Sequence, residues 1–299
     1  MKSTTVRRAT VSIAVAAAMT GVAACSGSDS GKGSGGDGKA ADKGTTRVSP
    51  IAALRSVEKS TDKADSAKVE STTTMGTMMS MKADGALGWA DGLTGNLTIT
   101  YTGGTMADQM RQLGTTSMEA RYLPDAYYAK MGDKFAEQSG GKHWIKYAYD
   151  DLADLAGGSG AYMKDQMQNT TPNQSVKLLL ASGDVKKVGE EKVRGENTTH
   201  YSGTVDVADL AGESSNLTED QLADLKRQLE QAGVTTETVD IWVNDEDLLV
   251  KKVEKGELAT GSMSSTAYYS DYGVEVSTEE PAASDTADFK DLMQTQPAA

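Results

Sequence analysis

From Arg47 onward, short segments in which apolar and polar residues alternate follow one another along the chain. Val239, Ile241 and Val243 show the pattern clearly, because each is followed by a polar or amphipathic neighbour before the next apolar residue. Alternation of this kind indicates half-buried β-strands, and roughly ten segments show it. Turn-forming residues separate many of them, and residues 185–207 read as two strands joined by a tight turn. The pattern therefore predicts a series of antiparallel hairpins.

A few segments with helical spacing interrupt the strands. Ser49 and Pro50 are typical of a helix start, and Ile51, Leu54 and Val57 are spaced to share one face of that helix. Three further helices are predicted at residues 149–155, at residues 174–181, and behind the capping box Thr218–Gln221, where Leu222, Leu225 and Leu229 form a stripe that ends at Gly233.

The order of these elements predicts the fold class. Strands and helices do not alternate regularly, so a parallel sheet is not expected. An α+β protein with an antiparallel sheet and helices on one face is favoured. No glycine-rich break divides the middle of the chain, so residues 47–280 are predicted to form a single domain. Residues 281–299 are predicted to form an acidic C-terminal extension.

The first 24 residues have the features of a bacterial export signal. Lys2, Arg7 and Arg8 supply a positive start, and residues 11–24 are apolar or small and uncharged. Such a segment is too short to span a bilayer and is removed after export. Whether the chain uses the general or the twin-arginine route is left open by the sequence.

The residues around Cys25 resemble the lipobox of bacterial lipoproteins. Val22, Ala23 and Ala24 precede Cys25, which is the only cysteine of the chain. The resemblance implies that Cys25 receives a diacylglyceryl group and becomes the first residue of the mature protein. Two or three acyl chains anchor a protein stably, whereas one does so only marginally. An ordinary secretory signal that happens to end near a cysteine is the alternative.

Residues 25–46 are predicted to form the lipidated cysteine and a flexible tether. They are rich in Gly, Ser, Asp and Lys, and they contain no large apolar residue. A segment of this composition cannot bury enough surface to fold. We therefore expect the domain to be held at the extracytoplasmic face of the cell membrane by the lipid on Cys25.

The charge of the chain argues against nucleic acid as a partner. The formal net charge is −13, from 30 Lys and Arg against 43 Asp and Glu. A nucleic-acid binder needs a basic face for the phosphates. The single cysteine also excludes an intramolecular disulfide and a cysteine-based zinc cluster. No cofactor and no metal are expected, and protein partners cannot be predicted.

Candidate catalytic residues are few. His200 lies next to Tyr201, but no nucleophile motif accompanies it, and on a strand it would face outward. His143 is interpreted as a structural strand residue. The carboxylates at 245–247 and at 150–154 lack the spacing of a calcium loop and are interpreted as an acidic turn and a helix start. The protein is therefore not expected to be an enzyme.

Methionines are concentrated in the first third of the domain. Met is flexible and polarizable, so these residues either fill irregular gaps of the core, which is the interpretation we favour, or form an adaptable wall for an acyl chain. The residues concerned are Met75, Met78, Met79, Met81, Met106, Met110 and Met118.

Several segments resemble the LppX/LprG-type actinobacterial lipoproteins, whose domain has a LolA-like fold. The most telling is Val185–Asp206, which follows the family pattern of a Gly-Glu-rich hairpin ending in Gly-x-Val-Asp; the segments 142–146, 241–248 and 269–273 are also similar. The resemblance implies a strongly curved antiparallel β half-barrel with helices covering its concave face. It further implies an apolar cavity between sheet and helices that carries a lipid or lipoglycan.

We therefore expect a membrane-anchored envelope lipoprotein that binds an apolar ligand and keeps the polar head of that ligand at the rim. Ile241→Trp is expected to reduce lipid loading with little loss of folding. The alternative is a sensor or protein-interaction module on the same fold with no lipid cargo. The predicted cavity lining comprises Leu97, Ile99, Tyr101, Tyr201, Val205, Val239, Ile241 and Val243.

Overall fold

The computed structural model describes residues 49–155, 164, 167, 168, 171–182, 184–206, 236–258 and 261–295. The predicted signal segment, Cys25 and the tether lie outside the described residues. The predicted helix behind Thr218 lies outside them too.

Twelve strands of the described chain form one sheet, with helices between some of them. The strands are β1 (Ser66–Met75), β2 (Met79–Gly88), β3 (Thr94–Gly103), β4 (Ser117–Tyr122), β5 (Ala126–Lys130), β6 (Trp144–Ala148), β7 (Lys186–Val193), β8 (Glu196–Asp206), β9 (Thr236–Asn244), β10 (Leu249–Leu258), β11 (Gly261–Ser270) and β12 (Thr286–Asp288). The helices are α1 (Pro50–Lys63), α2 (Gly104–Gln112), α3 (Asp133–Gln138), α4 (Tyr149–Leu155), α5 (Pro172–Ala181) and α6 (Phe289–Thr295).

The sheet is large, curved and unclosed, and its strand order is β12-β6-β5-β4-β3-β2-β1-β11-β10-β9-β8-β7. Strands β1 to β6 form one meander and β7 to β11 a second. The two meanders are joined by antiparallel pairing of β1 with β11. Only β12 runs parallel to its neighbour, β6. The predicted α+β class with an antiparallel sheet is confirmed.

Helix α1 begins as its sequence predicts. The Ser49 hydroxyl accepts a hydrogen bond from the amide of Ala52, and Pro50 occupies the first turn. Leu54 and Val57 are fully buried and face the sheet side of the molecule. Ile51 was predicted on the same face but is 43% exposed, because it lies in the first turn of the helix, ahead of the buried positions.

Two apolar clusters lie on the concave face of the sheet. In the first, α1 and α5 pack on each other and on strands β8 to β11. In the second, α2 and α4 contribute Met110 and Leu152 to the concave side of strands β2 to β6. The concave face is thus covered by helices at both ends.

The segment after β11 crosses the convex face of the first meander. Asn96 donates to the carbonyl of Ser277 over 2.9 Å, and Arg121 donates to the carbonyl of Glu279 over 2.8 Å. These residues lie on the opposite face of their strands from the concave core, because side chains alternate along a strand. The crossing brings β12 to the free edge of β6. Residues 286–295, predicted as part of an extension, therefore contribute a strand and a helix.

Candidate functional site

A cavity of about 250 Å³ lies on the concave face, where the two apolar clusters meet. Side chains from β10, β11 and β1 form one part of its wall, and side chains from β2 to β6 form the other. Helix α2 and the start of α5 supply further lining residues. The composition of the wall changes along the strand order, so that the cavity has a polar half and an apolar half.

The apolar half is formed by strands β2 to β6 and by α2. Alternation along each strand turns every second residue toward the cavity, which is why the lining residues of one strand are two apart. Methionine and tyrosine dominate this wall. Its residues are Met79, Met81, Ala83, Leu87, Leu97, Ile99, Tyr101, Met106, Met110, Leu113, Met118, Tyr122, Tyr127, Ala129, Met131 and Tyr147.

A row of aromatic rings crosses this half of the wall. Tyr122 and Tyr127 are direct cross-strand partners with ring centroids 5.1 Å apart, and Tyr127 faces Tyr147 at 5.7 Å. Phe289 of α6 extends the row, 4.7 Å from Tyr147. Burial raises the pKa of Tyr122 to about 12, with a smaller contribution from Tyr101. The phenols therefore stay neutral and the wall keeps its low polarity.

The polar half contains a buried ion pair. The Lys252 ammonium donates to Glu254 Oε1 over 2.8 Å, and the side chains are 17% and 1% exposed. The Ser175 hydroxyl of α5 donates to the same carboxylate oxygen over 2.7 Å. Burial alone would lower the pKa of Lys252, but the nearby Glu254 and Tyr269 together raise it. Lys252 is thus firmly charged, and both it and Glu254 line the cavity.

Glu237 lies beside this pair, on the neighbouring strand β9. Its side chain is buried, and its Oε1 atom has no hydrogen-bond partner among the described residues. Burial, and then the charge of Glu254, raise the pKa of Glu237 to about 9, partly offset by Lys252. Glu237 therefore carries a proton and no charge at neutral pH.

Hydroxyl groups surround the ion pair on the cavity wall. Ser71 and Thr73 of β1 and Ser265 of β11 line the cavity, together with Thr171 and Gln174 at the start of α5. Thr73 and Ser265 hydrogen-bond to each other over 3.1 Å. The polar half thus combines one charge pair with groups that can both donate and accept hydrogen bonds.

Three of the eight predicted lining residues line the cavity. Leu97, Ile99 and Tyr101 lie at alternate positions of β3, on the face toward the apolar half. The other five do not line the cavity, which corrects that part of the prediction. Tyr201, Val205, Val239, Ile241 and Val243 lie in the first apolar cluster instead.

Helix α5 is the reason for this difference. Its residues Val176, Leu178 and Leu179 are fully buried against β8 and β9 and fill the space above the five residues. Gly203 of β8 permits this close approach, because a Cβ atom there would lie 2.9 Å from Leu179 Cδ2. Ile241 is fully buried in this core, so Ile241→Trp is now expected to disrupt packing and not to report on lipid loading.

Most of the predicted methionine cluster borders the cavity. Met79, Met81, Met106, Met110 and Met118 line the cavity, and Met131 and Met167 join them. Met75 and Met78 do not line this cavity. A core gap is filled by side chains on all sides, whereas these side chains border open volume. Five of the seven predicted residues therefore lie where the adaptable-wall interpretation would place them.

The histidines and acidic turns have structural roles. His200 Nε2 and Asp240 Oδ1 form a hydrogen bond of 2.8 Å, and the His200 ring stacks on Trp242 at 4.2 Å, on the convex side of the sheet. His143 contacts Asp285 over 2.7 Å and fixes the C-terminal segment to β6. The acidic residues 245–247 form an exposed turn. Among the described residues, no three His, Cys, Asp or Glu side chains are grouped to hold a metal ion.

Comparisons with known proteins find relatives in Streptomyces. A 31.2 kDa protein encoded in the rplA-rplJ intergenic region of Streptomyces griseus is 64% identical over 250 residues, which cover 83% of this chain and 82% of that protein. The Streptomyces coelicolor protein named "Putative lipoprotein SCO4650" is 54% identical over 309 aligned positions, which cover 99% of each chain. No model of a known protein family matches the chain.

Two solved lipoprotein structures are similar in outline. LppX from Mycobacterium tuberculosis is 16% identical with a TM-score of 0.46, over 77% of this chain and 98% of its own. LprF from Mycobacterium bovis is 15% identical with a TM-score of 0.45, over 78% and 97%. Both structures are lipoproteins of the group that the sequence resembles, and the Streptomyces coelicolor relative is also named as a lipoprotein. No helix among the described residues is long and apolar enough to span a membrane.

Proposed function

The chain belongs to the family of Streptomyces proteins that includes SCO4650, and from this membership we propose that it is a cell-envelope lipoprotein that binds a lipid or lipoglycan in the cavity between its sheet and helices. The ligand would bind without any bond being made or broken. An acyl chain that leaves water gains about 25 cal/mol per Å² of buried apolar surface.

The wall of the apolar half is the observation that carries this proposal. Seven methionines and a row of tyrosines border a volume of about 250 Å³. Ligand pockets usually measure roughly 300–1,000 Å³, so this cavity lies just below that range. Methionine side chains change rotamer easily and adapt to irregular shapes. The wall is therefore suited to widening around a flexible chain.

The anchor is proposed to be Cys25. Two acyl chains on this residue would hold the protein stably at the extracytoplasmic face of the membrane. The tether of residues 25–46 would give the domain a reach of roughly 25 Å from the bilayer. The cavity could then meet lipids at the membrane surface. Mass spectrometry of the N-terminal peptide is expected to show a diacylglyceryl group on Cys25.

Lipid loading tests the proposal directly. We expect the full chain carrying Cys25→Ser, produced in a Streptomyces host and purified without detergent, to release a stoichiometric lipid into organic solvent. Leu97→Trp places a large ring on the cavity wall and is expected to lower the amount of extracted lipid severalfold, because it fills the space an acyl chain would take. Mass spectrometry of the extract measures both quantities.

Thr98→Trp is the matched control. Thr98 is exposed on the opposite face of the same strand, so the same substitution there should leave the lipid content unchanged. A wild-type chain that yields no more lipid than an unrelated secreted protein would contradict lipid binding. It would favour the sensor or protein-interaction alternative.

A further inference from the structure

We propose that the polar half of the cavity binds the uncharged, hydrogen-bonding head of the lipid, an ester or hydroxyl group, at the buried Lys252–Glu254 pair. This inference rests on the proposed lipid-binding function and adds the chemical class of the ligand and its orientation. In this orientation the polar head lies at strands β10, β11 and β1, whereas the sequence analysis expects it at the rim of the cavity.

The position of Lys252 is the first support. A lysine ammonium has three N–H donors, and its bond to Glu254 uses one of them. The side chain is mostly buried and lines the cavity, so it presents donor capacity toward the space a ligand would fill. A carbonyl or hydroxyl oxygen is the acceptor that such a donor accommodates without a new buried charge.

The balance of charge selects a neutral head. Lys252 and Glu254 form a pair with no net charge, and Glu237 beside them is protonated at neutral pH. An anionic head bound by Lys252 would lie beside the Glu254 carboxylate, and a cationic head bound by Glu254 would lie beside the Lys252 ammonium. Either one would bring an uncompensated charge into a buried site, which is costly. An ester or hydroxyl group avoids this cost.

The hydroxyls of the wall complement such a head. Ser71, Thr73 and Ser265 lie on β1 and β11, between the ion pair on β10 and the methionines on β2. Each hydroxyl can donate one hydrogen bond and accept two. Because the charged residues lie on β10, the hydroxyls on β11 and β1, and the methionines from β2 onward, one amphiphile can place its head at β10 and its chain along β2 to β6.

Three probes with similar carbon chains test the orientation and class: methyl oleate, oleyl sulfate and octadecene. We expect the full chain carrying Cys25→Ser to bind methyl oleate about tenfold more tightly than either of the others, as one good hydrogen bond to a charged group would give. Native mass spectrometry at matched probe concentrations measures the bound fractions. Bound lipid is removed from the protein before the titration, so that each of the three probes is added to an empty cavity.

Lys252→Met combined with Glu254→Gln removes the charge pair and keeps an oxygen for the Ser175 hydroxyl. This variant is expected to bind the three probes with similar affinities. Lys251→Met is the matched control, since Lys251 lies on the same strand but over the Trp242 ring on the convex face. It should keep the preference for methyl oleate. Ser265→Ala offers a milder change of the same wall and should reduce the preference severalfold.

The outcomes separate this inference from the proposed function. If no probe binds the wild-type chain, lipid binding itself is contradicted. If all three bind equally, or oleyl sulfate binds most tightly, the polar-head site is overturned and lipid binding stands. Thermal unfolding shows whether each variant is folded. If the double variant at Lys252 and Glu254 is unfolded, the preference of Ser265→Ala for methyl oleate is compared with that of the wild type, and an unchanged preference overturns the polar-head site.

Discussion

At the scale of single residues, Glu237 has the surroundings that most change its chemistry. It is 2% exposed, and the adjacent Glu254 and the burial together favour its protonated form. The sequence gives little sign of this, because Glu237 stands in an ordinary alternating strand. Its environment depends on the neighbouring strand β10 and could be found only from the fold.

Glu237→Gln is expected to change how stability depends on pH. The pKa of Glu237 is about 9 in the folded protein, against an ordinary value of 4.5. A raised pKa means that the stabilisation is fully present below about pH 4.5 and is lost as the pH rises toward 9. The wild type should therefore lose stability relative to Glu237→Gln over this window, by up to about 1.4 kcal/mol per pH unit.

Chemical denaturation of both proteins between about pH 5 and pH 9 checks this expectation. Glu257→Gln, on an exposed position of β10, is the control and should follow the wild type. A constant difference between Glu237→Gln and the wild type across the window would contradict the assignment of a protonated Glu237.

At the scale of elements, the alternating pattern predicts most strands of the described chain, but it does not predict which face of β10 is buried. A bulge between Leu249 and Lys251 inserts one extra residue against β9. One extra residue moves every later side chain to the other face. Lys252 and Glu254 therefore point to the concave side, while Val253 packs on the convex side. The ion pair lies in the wall of the cavity because of this bulge.

The alternating pattern does not predict strands β2 and β12. Strand β2 contains Met, Ala and Gly and no β-branched residue, so its composition does not favour a strand. It forms because β1 and β3 pair with it on both sides. Strand β12 is only three residues long, and no periodicity can be seen over so short a segment. Tertiary pairing, and not local propensity, determines both.

Gly203→Ala tests how α5 is seated on the sheet. A methyl group there would lie 2.7 Å from Ser182 Oγ and 2.9 Å from Leu179 Cδ2, so the helix would have to shift outward. We expect a loss of about 1–3 kcal/mol in the free energy of unfolding, measured by chemical denaturation. Gly189→Ala, on edge strand β7 with open space around its Cβ position, should change stability much less. Equal effects at the two sites would contradict close packing of α5.

At the scale of the whole molecule, the C-terminal segment joins the ends of the first meander. It crosses the convex face after β11, and Tyr128 donates a hydrogen bond to Glu280 along the way. Beyond it, β12 covers the edge of β6, and Phe289 and Leu292 pack beside the second apolar cluster. The acidic composition of this segment suggests an extension, whereas its few apolar residues provide its attachment.

A chain that ends after residue 280 is expected to be less stable than the full chain. The truncation removes Phe289 from Tyr147 and leaves the edge of β6 unpaired. Phe289 is partly buried, so its loss costs up to about 1.5–3 kcal/mol, and the lost strand adds to this. Thermal unfolding measures the difference. A chain that ends after residue 295 is the control, and an unchanged melting temperature after truncation at 280 would show that the segment is not attached in solution.

The pairing of β1 with β11 determines when the cavity can form during folding. The two strands that join the meanders are separated by almost the whole domain in sequence, from Lys68 opposite Ser270 to Met75 opposite Met263. Contacts between such distant segments form late in folding. The apolar wall comes from the first meander and the charged wall from the second. The cavity is therefore complete only after nearly all of the chain has been synthesised, and under the proposed function a lipid can enter only the finished molecule.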